Sequence, residues 1–200
     1  GSIIILEDSF LVGSTINASK WIVTNPDTSN VSIVQSNGVG LEISTLGLSS
    51  TLNYTNFVSS QADYDISTVK AIKFDLLNDS QNLTAFFNGF GTSPTKRAGI
   101  FRDVTAGEVG TVISNSPDLF TDAVVLDIST VKSFKIVISG TTTNIYYWNV
   151  SWQLIDSQTT AWSGTLKAAF DFRDGTGIIV NEVITNLFVT SADFATQNPV

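Results

Sequence analysis

The sequence predicts an all-β chain folded as a two-sheet antiparallel β-sandwich. Three observations carry this. Short runs rich in β-branched and aromatic residues recur from end to end, and clusters of Gly, Asn, Ser, Asp and Pro separate them. No window keeps the i, i+3, i+4 apolar spacing of a helix over three turns. In order, the candidate strands are 3–7, 21–24, 31–35, 39–44, 51–57, 69–77, 82–89, 98–103, 110–114, 131–139, 144–152, 153–157, 165–172 and 180–190. This many short strands with short connections point to a sandwich. No low-complexity stretch or Pro/Gly-rich hinge divides the chain, so 3–200 is read as one domain. Gly1-Ser2 reads as the remnant of a cleaved expression tag.

An internal repeat organises the middle of the chain. Asp65-Ile66-Ser67-Thr68-Val69-Lys70 returns unchanged as Asp127-Ile128-Ser129-Thr130-Val131-Lys132, and at the same offset Lys73 matches Lys135, Phe86 matches Trp148 and Phe90 matches Trp152. The copies, 65–92 and 127–154, are expected to form two equivalent hairpins. Period-2 alternation assigns their faces. Ile72, Phe74 and Leu76 oppose Ala71, Lys73 and Asp75, while Phe134, Ile136 and Ile138 oppose Ser133 and Lys135. The apolar set is core. Along 144–152, Tyr146, Trp148, Val150 and Trp152 share one face and are expected to pack. Tyr147, Asn149 and Gln153 fall on the other, which is expected to meet solvent or a ligand.

Composition excludes much chemistry. The 200 residues hold no Cys, His or Met, which removes disulfides, ordinary zinc sites, and Ser-His-Asp or Cys-His catalysis. Only 14% of residues are charged and the net charge is −8, so the basic surface that nucleic acid or an anionic membrane requires is missing. No apolar run approaches the length of a spanning helix, so no membrane insertion is expected. The chain is expected to act as a module of a larger chain or as a homo-oligomer. Abundant Ser, Thr and Asn with few charges suits an exported bacterial surface protein or a virion protein.

The ends of the chain carry a family resemblance. Asp8-Ser9-Phe10, Trp21-Ile22-Val23, Val31-Ser32-Ile33 and Gly40-Leu41-Glu42-Ile43 follow one another at the start. At the far end come Leu166-Lys167-Ala168-Ala169-Phe170-Asp171-Phe172, the turn Arg173-Asp174-Gly175-Thr176-Gly177 and a last strand through Val183 to Val189. This order resembles the concanavalin A-like lectin/glucanase (laminin G-like) domains. The resemblance implies a jelly roll with one concave sheet, and a chain that binds carbohydrate or hydrolyses β-glucan.

The residues separate these outcomes. Retaining hydrolysis needs two carboxyls about 5–5.5 Å apart, and family-16-like glucanases place them as Glu-x-Asp-x-x-Glu on one strand. No such triplet occurs, and Glu7, Glu42, Glu108 and Glu182 are widely separated. A non-catalytic, lectin-like domain is therefore expected, with a saccharide or cell-surface glycan as partner. The alternative is a structural, decoration or host-attachment domain of a virus particle or phage tail. Aromatic faces and amide side chains hold sugars, which singles out Tyr147, Asn149, Gln153, Trp162 and Phe87 as candidate ligand-binding residues. No cofactor is expected beyond a structural calcium ion, for which Asp171 and Asp174 are the candidate ligands.

Overall fold

The structure, a computed structural model, describes residues 3–25, 27–46, 55–77, 86–102, 108–127, 130–172 and 179–200. In chain order the strands are β1 (Ile4–Asp8), β2 (Trp21–Val23), β3 (Val31–Ser36), β4 (Gly40–Leu46), β5 (Thr55–Ser60), β6 (Tyr64–Asp65), β7 (Lys70–Leu76) and β8 (Phe86–Ser93). There follow β9 (Lys96–Arg102), β10 (Glu108–Asn115), β11 (Asp118–Val125), β12 (Ser133–Ser139), β13 (Thr142–Asn149), β14 (Ser151–Thr159), β15 (Thr165–Phe172) and β16 (Ile179–Thr190). They build two antiparallel eight-stranded sheets. The first runs β14-β13-β12-β7-β16-β4-β3 with β1 beside β16, and the second runs β11-β10-β9-β8-β15-β5-β2 with β6 beside β15. Residues 51–54, 82–85 and 103 of the expected strands lie outside the described residues. Strand β11 was not expected from the sequence. It is a mostly exposed edge strand with Asp118 and Asp122 among its apolar residues, so it lacks the clean alternation that marks a half-buried strand.

The core lies between the sheets and follows the period-2 reading of β7 and β12. Ile72, Phe74, Leu76, Phe134, Ile136 and Ile138 from the first sheet are buried with Phe90, Ala98, Ile100, Ala168 and Phe170 from the second. Phe74 meets Phe170 edge-on at 6.1 Å and bridges the sheets. The Asp8-Ser9-Phe10 motif has a definite role here. Asp8 accepts from Phe10 N at 2.9 Å and from Trp21 Nε1 at 2.8 Å, which aims both rings into the core against each other and Phe170.

The repeat is a strand pair rather than two hairpins. Strands β7 and β12 lie side by side with Ile72 opposite Ile136, Lys73 opposite Lys135 and Phe74 opposite Phe134, so a local two-fold axis passes through the lysine pair. Beyond these strands the copies diverge. A tight turn with Gly140 at φ 60° returns the chain from β12 into β13 within the same sheet. In the first copy β8 instead pairs with β9 and β15 in the second sheet. The expected strand 144–152 is also interrupted. Val150, at φ 64°, reverses the chain between β13 and β14 and sets Trp148 opposite Trp152.

Candidate binding site

The register of β12, β13 and β14 decides which side chains face out. Phe134 and Ile136 are core residues, and their cross-strand partners Tyr147 and Ile145 therefore point inward. Lys135 pairs with Tyr146, and Tyr146 with Leu154, so these residues with Trp148 and Trp152 occupy the outer face. The expected orientation of the hairpin is thus reversed. An alternation pattern shows which residues share a face, but two aromatic faces look alike in sequence. Only the pairing with Phe134 settles which of them is buried.

The outer face of the hairpin carries an aromatic shelf. Trp148 and Trp152 meet edge-on at 5.2 Å, and Phe194 of the C-terminal segment meets Trp152 at 6.2 Å. Tyr146, Trp148 and Trp152 are all half-buried, so each presents part of its ring. Beside them opens a cavity of about 450 Å³ edged by Lys135, Ser151, Trp152 and Asp193. Lys135 Nζ sits 4.7 Å from the ring centres of Trp152 and Phe194 and 4.9 Å from that of Tyr146. It also donates to Asp193 Oδ1 at 2.6 Å and to Phe194 O at 2.7 Å. Burial lowers the Lys135 pKa, and the Asp193 carboxylate opposes that shift.

Residues 191–200 hold this arrangement together. Trp152 Nε1 donates to Thr196 O at 2.8 Å and Gln197 Nε2 to Ser133 Oγ at 3.0 Å, while Lys73 donates to Asn198 and pairs with Asp75 at 2.9 Å. Each lysine of the two-fold pair thus turns to its own carboxylate. Asp193→Ala leaves the ammonium of Lys135, 2% exposed, without its anion. Because Asp193 is itself 47% exposed, the expected loss is about 1–2 kcal/mol, below that of a fully buried pair. Urea unfolding measures it, and an unchanged midpoint would show that the pair contributes nothing.

The structure disperses the residues expected to bind ligand. Tyr147, opposite Gln153, is partly buried against the main core. Gln153 bonds back to Ser151 Oγ at 2.7 Å, and Asn149 is exposed at the hairpin tip. Trp162 packs against the core and donates to Thr143 Oγ1 at 2.9 Å. Phe87 is 1% exposed beneath the Arg97 guanidinium, 5.0 Å from its ring, and has no free face to offer. None of these five lines the cavity; Tyr146, Ser151, Trp152, Asp193 and Phe194, which do, were not among the expected ligand residues. The turn signal at Gly140 could have found Tyr146, since a tight turn there places it against Lys135. No local signal ties the C-terminal segment to the hairpin.

A second cavity, of about 690 Å³, lies beside β1 and the loop before β2, edged by Glu7, Asp8, Asn17, Lys20 and Gln35. Among the described residues no aromatic ring lines it, and Lys20 Nζ is bonded to Glu7 O at 2.6 Å.

No family model and no curated protein matches the sequence. Solved structures do match the fold. The binding domain of botulinum neurotoxin serotype C1 superposes over 96% of this chain with a TM-score of 0.53 at 11% identity, and this chain spans 49% of that one. LamAcat from Zobellia galactanivorans matches over 94% of this chain and 97% of its own, with a TM-score of 0.57 at 8% identity. An immunostimulatory antigen and pseudo beta-1,3-glucanase of Mycobacterium tuberculosis matches over 96% of this chain and all of its own, at 0.53 and 12%. The fold is the concanavalin A-like jelly roll.

Within this jelly roll, the outer face of the second sheet holds a separate apolar cluster of Phe87, Val112 and Ala169, with Phe101 packed against it. Asp171 lies opposite Phe87 on the neighbouring strand. Burial pushes its pKa up to about 7, against the pull of Arg97 and a backbone bond from Phe57. Asp174, its expected partner in a calcium site, lies outside the described residues. Among the described residues, no three Asp or Glu side chains gather as a metal site, and no helix is long and apolar enough to cross a membrane.

Proposed function

We propose that this jelly roll is a non-catalytic carbohydrate-binding domain that works at a cell or particle surface, and that a saccharide lies on the Tyr146–Trp148–Trp152 shelf. The observation that carries the reading is the pair of partly buried, edge-on tryptophans, with Trp152 edging the 450 Å³ cavity. Sugar C–H faces pack on such rings, and the Ser151 hydroxyl and the outer oxygen of Asp193 are placed to bond ring hydroxyls. Among the described residues, Asp193 is the one carboxylate edging this cavity, and it is tied to Lys135. Glycoside hydrolysis needs a second carboxyl across the sugar, so binding without turnover is the chemistry this site supports. With the site's lysine already neutralised and a net charge of −8, a neutral saccharide is favoured over an anionic one. The matched structures share only the fold. Their relevance here is that the same scaffold serves a toxin binding domain and glucanase-like proteins.

Glycan-array screening of the native chain followed by titration calorimetry on the best ligand tests this. Trp148→Ala is expected to weaken that ligand at least tenfold, about 1.4 kcal/mol, with little change in unfolding midpoint, because Trp148 lies outside the main core. Tyr147→Ala is expected to leave affinity nearly unchanged, since that ring faces inward. Absence of any glycan bound by the native chain, or turnover of a polysaccharide, would overturn the reading.

A further inference from the structure

The apex of the β13–β14 hairpin combines features that disfavour a surface meant only for water. Val150 is 90% exposed and stands at φ 64°, a conformation in which a β-branched residue is strained. Asn or Gly would sit there relaxed, as they do in most tight turns. Leu154 is 55% exposed on the same outer face as Tyr146, Trp148 and Trp152, so an apolar stripe runs down both strands from the apex. No charged residue occurs between Lys135 and Asp156. The apical part of the hairpin, up to Ile155, can therefore leave water without burying a charge.

We propose that this apex inserts into the interfacial layer of an electrically neutral, zwitterionic lipid membrane, with Val150 entering the acyl boundary and the Trp148–Trp152 pair resting at headgroup depth. Tryptophan and tyrosine have an apolar body and a polar tip, which suits them to that layer. Strand β13 is paired on both sides, with β12 and with β14, so the peptide groups that must stay hydrated on entry are those on the outer flank of β14, within reach of headgroup water. Strand β14 is the outermost strand of its sheet, which leaves the hairpin one free flank. Val150 stands at the turn between the exposed polar residues Asn149 and Ser151, and a bilayer closes around such a protrusion. The net charge of −8 selects against anionic headgroups.

The proposal does not depend on saccharide binding, and the test keeps the two apart. The native chain is mixed with vesicles of phosphatidylcholine alone, and with the same vesicles carrying a brominated phosphatidylcholine. Tryptophan emission is expected to move to shorter wavelength in the first and to be quenched in the second. Val150→Asp is expected to lower the partition coefficient at least tenfold while its affinity for a soluble oligosaccharide stays native. Val150→Asn is expected to lower partition as well, yet to raise the unfolding midpoint by relieving the turn, so instability cannot imitate the result. Absence of shift and quenching with the native chain at millimolar lipid overturns the proposal. So does equal partition of Val150→Asp, or a Val150-dependent dimer in place of vesicle binding.

Discussion

Replacing Asp171 by Asn is expected to flatten the pH dependence of stability between pH 4 and pH 8 by about 4 kcal/mol. Asp171 is buried on the outer face of the second sheet, and its pKa stands near 7 instead of the ordinary 3.8. Between those values the unfolded chain has ionised this carboxyl while the folded chain still holds the proton. The folded state therefore binds more protons, and stability must fall as pH rises through this window. Its contribution is complete below pH 3.8 and is lost as pH passes 7. At about 1.4 kcal/mol per unit, the shift amounts to about 4 kcal/mol. Asn has the same shape and does not ionise, so the variant should match the native chain near pH 4 and exceed it at pH 8. Urea unfolding of both chains at the two pH values measures the difference between the curves, which removes the contribution of other titrating groups. Parallel curves would show that Asp171 does not titrate abnormally.

Gly99→Ala is expected to cost more than 3 kcal/mol or to prevent folding. Gly99 faces Gly89 across the β8–β9 pair, and the Phe87 ring lies over it. A Cβ at Gly99 would fall 2.2 Å from Asn88 O and 2.9 Å from Phe87 Cε2. The first contact is with backbone in the middle of a sheet, which cannot move aside without opening the pairing. Gly110 gives a milder comparison, because the atoms nearest a Cβ there belong to the ring of Phe101, the closest at 2.4 Å, and that side chain is partly exposed. Gly13→Ala meets no atom within 4 Å and suffers only its φ of 81°, about 1 kcal/mol. The expected order of unfolding midpoints is therefore Gly13→Ala above Gly110→Ala above Gly99→Ala. A Gly99→Ala chain as stable as the native one would contradict the close approach of β8 and β9.

These glycines also mark where the sequence could be read and where it could not. Phe87 looks in sequence like the repeat partner of an exposed position, and it looks available to stack on a sugar. The glycines of two neighbouring strands form the floor that lets its ring lie flat, and Arg97 closes over it. Gly91 lies on the same strand as Phe87, but Gly99 and Arg97 come from the next strand, and only the β8–β9 pairing brings them to the ring. The same holds for the cavity. Asp193 reaches Lys135 from the far end of the chain, and its effect on the lysine depends on a contact spanning 58 residues.

The sequence alone determined the all-β class, the sandwich, and which residues of β7 and β12 enter the core. Alternation is a local property with period 2, and burial of one face enforces it strand by strand. It also located the repeat, since identity at a fixed offset needs no geometry to be seen. Tertiary structure decided that the two copies pair with each other about Lys73 and Lys135, and that β8 leaves for the other sheet. It also decided that Tyr146, Trp148 and Trp152 face outward while Tyr147 faces in. A face becomes inner or outer only when another sheet covers it, and that choice is made by strands far away in the chain.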